Sequence, residues 1–471
     1  MKRGFLNTPK AQKQLLQGTN TTSAATQPAQ GSYKYGVLPE AELALPKDYK
    51  PLARPTEGPD VVTLKYGSNE YIYATLPPVP PGTKYSDFLG GGYSECWISD
   101  HIKRTIEATP NFPTLPLTPT GGKAYRIAKA GDKGLGMFAT RLIRAGDLII
   151  DERPLIVVPA SSIALEGVLS YLANKYTPDQ RLRIMLHEKD RCMELAYNKL
   201  DPERKKAFMA LFNCHSRDGS GEFMGRVRTN GIGIDGEKLR DKDTTGDVGR
   251  YSAVCDEISR INHSCCPNTV YHWHTDTFSV RVFAVRDIPT GAEITLKYCN
   301  IMAPAAERAA ALDRYGINPC ACSVSCSDPA RAKIADERRA RLKTRSMLVP
   351  PSTPEDPEDA WVQPAVKQLR ELEEEGLQAS DEYYHALGGL LVPYLFLQNV
   401  DKVLFYAKKL EALSKARDNL KNFEPLYLSR EGMKTTESWK VVGRMPKSTR
   451  KTASGWLLFL QSYIAQRRTS M

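Results

Sequence analysis

The sequence predicts an α+β fold followed by an all-α C-terminal region. From residue 125 to about residue 300, short β-rich segments alternate with Gly- and Asp-rich turns, which is typical of small sheets. A helical apolar spacing interrupts this pattern at about residues 159–225 and returns beyond residue 376. With 471 residues, 41% hydrophobic and 25% charged, the chain can form two or three domains with sizeable cores.

Charge and cysteine content limit the class of protein. The 65 basic and 54 acidic residues give a net charge of +11, a modest excess that only weakly supports nucleic acid as a partner. Ten cysteines in so long a chain, with no apolar leader at Met1, indicate a reduced intracellular setting, in the nucleus, the cytoplasm or both. The apolar stretch at 387–397 is too short to span a membrane and contains Pro393, so we expect no membrane partner.

The N-terminal third contains two compositionally distinct segments. Residues 1–39 are basic, lack acids and are rich in Thr, Ser, Ala and Gln, which favours a disordered tail over a mitochondrial transit peptide because arginine is scarce. Residues 40–124 contain recurrent prolines, which prevent long helices and favour extended or polyproline conformations. We therefore expect a stiff lead-in that lies on the domain that follows.

The middle of the chain predicts strands around a helical insert. Turn residues then separate the insert from the later strands, and residues 231–250 read as a Gly- and Asp-rich loop. Alternating segments on either side of residues 275–276 predict a hairpin. The predicted strands are residues 125–128, 137–139, 148–150, 155–158, 269–273 and 277–283.

The C-terminal part predicts a charged connection and then a helical bundle. Residues 328–375 are charged and punctuated by proline, as in a solvated linker and helix face. Residues 383–397 and 401–415 predict a helical pair, with Asp401 as the cap of the second helix. A last amphipathic segment at 456–464 could close the bundle.

Three motifs in the second half of the chain point to one site. The first is Asn262-His263-Ser264-Cys265-Cys266-Pro267-Asn268, a shaped loop because Pro267 forces extended backbone on its predecessor. The second runs from Gly291 through Glu293-Ile294-Thr295 to Tyr298. The third is Tyr315 followed by Cys320-Ala321-Cys322-Ser323-Val324-Ser325-Cys326. Three cysteines leave one place open in a tetrahedral thiolate site, and structural zinc requires four ligands.

In this order the motifs resemble the SET-domain methyltransferases, and within them the split-SET group that includes the SET and MYND proteins and their fungal relatives. The resemblance covers about residues 125–326. It implies the SET β-fold with its pseudoknot and a tetratricopeptide-like helical end, although no Cys-x-x-Cys pair of a MYND finger occurs. The implied domains are a tail at 1–39, a lead-in at 40–124, a SET domain at 125–299, a post-SET zinc segment at 300–327, a charged linker and helix at 328–375, and a helical domain at 376–471.

The resemblance also implies the ligands of one structural zinc ion. Cys320, Cys322 and Cys326 would supply three thiolates and Cys265 the fourth. The tail spacing departs from the usual pattern of the group by one residue, and the adjacent Cys266 stays a second candidate for the fourth ligand. The alternative, unrelated surface thiols, is disfavoured because exposed free cysteines at this density are uncommon.

Cofactor and catalytic positions follow from the same resemblance. S-adenosyl-L-methionine would be wrapped by the first glycine loop and the Asn-His pair, and Tyr298 and Tyr315 would line the lysine channel. A phenol with an ordinary pKa near about 10 is a doubtful general base, so Tyr298 would orient the reacting groups. The implied cofactor positions are Lys133, Gly134, Leu135, Gly136, Asn230, Ser259, Asn262, His263, Tyr298 and Ile317. At Ile317 relatives often carry an aromatic residue, which leaves the methylation state of the product open.

The resulting expectation is a zinc-containing, S-adenosylmethionine-dependent protein-lysine N-methyltransferase. Its substrate would be a lysine of a histone, which would place it on chromatin, or of another protein, and we expect a monomer. The alternative is a catalytically silent SET-derived scaffold that recruits partners through its helical end and its proline-rich lead-in. The intact Asn262, His263 and Tyr298 favour the enzyme.

Overall fold

A computed structural model describes residues 44–52, 63–66, 69–78, 92–160, 172, 174–234, 251–317, 320, 326, 328–344, 348, 350, 359–446, 448–450 and 452–469. In these residues three sheets of six, four and three strands are surrounded by helices, and the predicted α+β class is confirmed. The tail at 1–39 and Cys322 lie outside the described residues. No helix within the described ranges has the length and apolarity needed to cross a membrane.

The six-stranded sheet joins the lead-in to the body of the protein. Its order is β1-β2-β3-β7-β9-β8, and β3 pairs with β7 in parallel. We predicted extended or polyproline conformation for residues 40–124, but this segment supplies three strands and the helix α1 (Asp100–Glu107), because its prolines lie between the elements. The strands are β1 Thr63–Tyr66, β2 Asn69–Leu76, β3 Ser94–Ser99, β7 Ile156–Pro159, β8 Ile232–Ile234 and β9 Tyr251–Val254.

The four-stranded sheet brings the first two motifs side by side. Its order is β10-β13-β5-β4, and the short β10 runs parallel to β13, pairing Asn262 with Thr295 and His263 with Leu296. β5 lies against the other edge of β13, so the glycine-rich turn before β5 reaches the same end of the sheet. The strands are β4 Tyr125–Lys129, β5 Leu135–Ala139, β10 Asn262–His263 and β13 Glu293–Leu296.

The three-stranded sheet confirms the predicted hairpin. β11 (Thr269–His274) pairs antiparallel with β12 (Ser279–Ala284), which also pairs with β6 (Leu148–Glu152). Within the predicted loop 231–250 one correction is needed, because residues 232–234 form β8 against β9, and residues 235–250 lie outside the described residues.

The insert is helical, as predicted. α2 (Pro178–Lys199) begins with a capping box in which Thr177 and Gln180 exchange side-chain and backbone hydrogen bonds. α3 (Pro202–Met209) is capped by Asp201, whose carboxylate accepts from the backbone N–H of Arg204. α4 (Glu222–Asn230) then leads directly into β8.

The C-terminal region is a helical bundle that shares a core with the sheets. Its buried residues form one apolar cluster together with Val270, Val285, Ile301 and Met302 of the preceding domain. The predicted helical pair is present, but the second helix is capped by Asn399, not by Asp401, since it begins two residues earlier than that cap requires. The helices are α5 Ala305–Asp313, α6 Pro329–Leu342, α7 Gln363–Glu374, α8 Asp381–Phe396, α9 Val400–Ala416, α10 Arg430–Thr435, α11 Glu437–Arg444 and α12 Ala453–Thr469.

Candidate active site and cysteine cluster

Tyr298 lies where β10 and β13 end side by side. Its backbone N–H donates to Nδ1 of His263 (3.0 Å), and its hydroxyl donates to the carbonyl of Ile261 (2.6 Å). The imidazole and phenol rings are tilted at 51° with centroids 5.5 Å apart. Because β10 pairs with β13, the segment that precedes Tyr298 is held by backbone pairing as well as by these bonds.

Tyr315 meets Tyr298 in the same place. The two ring centroids are 5.1 Å apart at 57°, so the rings form one continuous aromatic wall. Burial, with smaller contributions from Tyr315 and Glu293, raises the pKa of Tyr298 well above its usual value. The phenol therefore stays protonated at neutral pH. Ile317 packs against the same apolar cluster as both tyrosines.

The glycine-rich turn before β5 lies beside Asn262. Gly134 has φ +82°, a conformation that favours glycine, and a Cβ on Gly136 would lie 2.9 Å from a carboxylate oxygen of Glu293 and 3.0 Å from Nδ2 of Asn262. That amide donates to the carbonyl of Leu135 (3.0 Å) and to Oε1 of Glu293 (2.8 Å). Four of the predicted cofactor positions thus converge at the end of one sheet.

Glu293 is a functional candidate that sequence reasoning missed. Its second carboxylate oxygen forms an ion pair with Lys133, so one side chain links the glycine-rich turn to Asn262. The Gly-x-Glu motif contained the signal, but in the sequence alone a strand-edge glutamate reads as a solvent-exposed residue.

Asn230 ends α4, and Ser259 lies three residues before β10. The amide of Asn230 donates to the carbonyls of Phe212 and Arg226, both at 2.8 Å, so its N–H groups support the end of α4. The hydroxyl of Ser259 donates to the Asn230 carbonyl (3.4 Å). The structure joins these two predicted cofactor positions to each other.

Cys265 is the centre of a buried thiol cluster. Its Sγ lies 3.9 Å from Sγ of Cys320 and 3.5 Å from Sγ of Cys326. Around a tetrahedral zinc ion with bonds of about 2.3 Å, neighbouring sulfurs lie roughly 3.8 Å apart, so these thiols fit a zinc site. Sγ of Cys266 instead contacts the hydroxyl of Ser264 at 3.4 Å.

His263 also approaches this cluster, and its hydrogen bonds define its role. Nε2 lies 3.3 Å from Sγ of Cys265, and these two residues and Cys320 offer ligand atoms within 4.8 Å of one another. However, Nδ1 accepts the N–H of Tyr298, which places the proton of the neutral ring on Nε2. A protonated Nε2 donates to sulfur and cannot bind a metal ion. His263 therefore connects Tyr298 to the cluster as a hydrogen-bonding partner.

Cys299 is a further thiol that the motifs did not include. A hydrogen bond with Cys265 lowers the pKa of Cys299; burial opposes this shift and Arg308 assists it. Cys299 directly follows Tyr298, so the cluster begins one residue beyond the tyrosine. No spacing rule could have found it, because it lies in neither cysteine motif.

Most of the strands, Tyr298 and part of the thiol cluster lie within a segment of known family. Residues 134–299 match the family model described as SET domain, so this chain contains a SET domain, as the motifs predicted. The histone-lysine N-methyltransferase set5 of Schizosaccharomyces pombe is 30% identical over 229 residues, which are 48% of this chain and 58% of that protein. Human N-lysine methyltransferase SMYD2 is 27% identical over 165 residues, 33% of this chain and 34% of that protein. The chain thus spans less than two thirds of these relatives.

Solved structures of SET proteins align only loosely. The Neurospora SET domain protein DIM-5, a histone lysine methyltransferase, covers 42% of this chain and 65% of its own at 17% identity and a TM-score of 0.20. The SET domain of LSMT bound to lysine and AdoHcy covers 78% and 92% at 12% identity and a TM-score of 0.22. Similarity this low supports no conclusion, and the family assignment depends on the sequence match.

Proposed function

We propose that this protein is an S-adenosylmethionine-dependent protein-lysine N-methyltransferase that acts on a histone or another protein. The observation that carries the proposal is the corner at Tyr298, where His263 and Tyr315 meet Tyr298 and the neighbouring Asn262 contacts the glycine-rich turn, in and next to the segment that matches the SET domain. The relatives named as lysine methyltransferases, from yeast and vertebrates, support the same activity.

The residues of this corner can perform the tasks that methyl transfer requires. S-adenosylmethionine supplies a methyl group on a sulfonium, so that the lysine N–C bond forms as the C–S bond breaks and a neutral thioether leaves. The lysine ammonium, with a reference pKa of about 10.4, must first lose its proton to solvent, because it has no lone pair. The Tyr298–Tyr315 wall excludes water and favours the neutral amine by desolvation. Tyr298, which stays protonated, orients the amine and is not its base.

Two groups of residues would hold the cofactor and the metal. Lys133, Gly134, Leu135 and Gly136, with Asn262 and His263, would hold S-adenosylmethionine, and the close approach at Gly136 leaves room only for a residue without Cβ. Cys265, Cys320, Cys322 and Cys326 would bind zinc; sulfur separations of 3.5 and 3.9 Å support Cys265, Cys320 and Cys326, and Cys322 is included on the resemblance. Asn230, Ser259 and Ile317 are further positions that would contact S-adenosylmethionine, because the resemblance implies them.

Replacing Tyr298 with phenylalanine tests the proposal. Tyr298→Phe removes one hydroxyl and its bond to Ile261, which costs about 1 kcal/mol of stability and leaves the fold intact. We expect binding of S-adenosylmethionine, measured by calorimetry, to persist, and transfer of labelled methyl groups to core histones and a lysine peptide array to fall about 100-fold or more. The control is Tyr271→Phe, because that hydroxyl also bonds a carbonyl, of Gly233, away from the corner.

The outcome also decides between the enzyme and the scaffold. Unchanged methyl transfer by the Tyr298→Phe protein would contradict the role given to this residue. If folded, zinc-loaded wild-type protein binds no S-adenosylmethionine, the methyltransferase hypothesis is wrong. The catalytically silent scaffold would then be the function.

A further inference from the structure

Two arginines are buried beside the thiol cluster. Arg308 of α5 and Arg339 of α6 are each 1% exposed. Nη2 of Arg308 donates to Sγ of Cys326 at 3.4 Å, and Nη2 of Arg339 approaches the carbonyl of Cys265 at 3.5 Å. Both guanidinium groups therefore face the same small volume, from two different helices.

Their other partners offset only one of the two positive charges. Each Nη1 donates to a backbone carbonyl, of Ala303 for Arg308 and of Ile301 for Arg339. Asp336 forms an ion pair with Arg308 at 3.5 Å, and its two oxygens also accept from the backbone N–H of Ala305. The Nε atom of each arginine is buried without a hydrogen-bond partner among the described residues.

Buried guanidinium groups require a nearby anion. An arginine cannot lose its proton in a protein, and the transfer of its charge from water is costly unless an opposite charge is close. Hydrogen bonds to carbonyls satisfy donors but do not neutralise charge. The thiol cluster is the acidic group that both side chains face, whereas Asp336 acts on Arg308 and Glu375 acts on Arg339.

The charges of the two groups are opposite in sign. Cys265, Cys320 and Cys326 as thiolates around one Zn²⁺ carry a net charge of −1, and the two guanidinium groups together with Asp336 carry +1. We propose that Arg308 and Arg339 are positioning residues of the zinc site, which neutralise its excess negative charge and fix Cys326 and the Cys265 backbone for binding. The inference rests on the zinc site proposed above.

A purely structural role makes a different prediction. If the arginines serve only to bond carbonyls and fill space, replacement by methionine should lower zinc affinity only as far as it lowers stability. Replacement by lysine should then lower both as much as methionine does. If charge is the function, lysine should rescue metal binding where methionine does not. Arg338 offers a matched control, since it precedes Arg339 on α6 but pairs with Glu375 and is 40% exposed.

The test compares zinc affinity across full-length variants. Zinc content and competition with a chromophoric chelator would be measured for Arg308→Met, Arg308→Lys, Arg339→Met, Arg339→Lys and Arg338→Met. We expect the two Met variants to bind zinc about 10- to 100-fold more weakly and the Lys and Arg338 variants within about threefold of wild type. Cobalt-substituted samples report the site directly, because the thiolate charge-transfer bands should shift in the Met variants and persist in the Lys variants.

Several outcomes would overturn the inference. Met variants that are folded and bind zinc within twofold of wild type exclude a charge role. If the Met variants do not fold, the Lys variants decide, because a loss of zinc in Arg308→Lys as large as that from metal-ligand removal contradicts neutralisation. A wild-type protein without zinc overturns the metal site and this inference together, while methyl transfer by that protein would keep the proposed function.

Discussion

The bridge made by Glu293 should control cofactor affinity. Its carboxylate joins Asn262, through a 2.8 Å hydrogen bond, to Lys133 of the glycine-rich turn. In Glu293→Ala both links are lost while Asn262 keeps its bond to Leu135. The partly exposed ion pair is worth about 0.2–1 kcal/mol, and the hydrogen bond to a charged oxygen about 1.5 kcal/mol.

These contributions translate into a measurable change in binding. In Glu293→Ala the glycine-rich turn must be ordered when the cofactor binds, which costs about 1–2 kcal/mol of binding free energy. The dissociation constant of S-adenosylmethionine should therefore rise about 5- to 30-fold. Glu293→Gln keeps an acceptor for Asn262 and loses only the ion pair, so we expect a rise of about two- to fivefold. Calorimetric titration of each purified variant gives the dissociation constant, and thermal unfolding reports stability.

The control is Glu437→Ala, which removes an exposed pair with Lys440 in α11. We expect wild-type affinity from it. The reasoning fails if Glu293→Ala binds S-adenosylmethionine within twofold of wild type, because the bridge would then not order the turn. It also fails if Glu293→Gln weakens binding as much as Glu293→Ala does. The hydrogen bond from the Asn262 amide would then contribute nothing to cofactor affinity.

Three further predictions concern the metal, the domain contact and the pH dependence. Cys265→Ser should abolish zinc binding, measured by metal analysis, whereas Cys266→Ser should keep about one zinc per chain, because only the first thiol reaches the cluster. Gly146→Ala should lower the free energy of unfolding by about 1–3 kcal/mol in urea titrations, since φ is +87° and the new Cβ would lie 3.0 Å from the backbone of α9; Gly233→Ala, with open space, should change it little. Burial raises the pKa of Glu95 to about 7, so the folded state holds a proton that the unfolded state releases near pH 4.5. The free energy of unfolding should therefore fall as pH rises from about 5 through 7. Glu95→Gln should make this pH dependence less steep.

The site was predictable where its residues are neighbours in sequence. Asn262, His263 and Cys265 lie within four residues of one another, and Tyr298 follows β13 by two residues, so the motifs indicate one site. The hairpin of β11 and β12 was predictable for the same reason, since its turn and its register are local.

Features that depend on distant partners were not predictable. The lead-in strand β3 is fixed by parallel pairing with β7, about 60 residues later, and proline content gave no sign of it. Glu293 and Cys299 gain their importance only from what the fold brings near them. Arg308 and Arg339 read as exposed helix residues because long charged side chains are almost never fully buried.

The position of Tyr298 follows from constraints on both sides of it in the chain. Before it, Leu296 pairs with His263, whose imidazole then accepts the tyrosine N–H. After it, Cys299 contacts the thiol cluster and the carbonyl of Ile301 binds Arg339. A residue held from two directions loses little freedom when substrate binds, because its ordering cost is already met in folding. The thiol cluster therefore belongs to the machinery that aligns the aromatic wall, and metal removal should lower methyl transfer before it unfolds the chain.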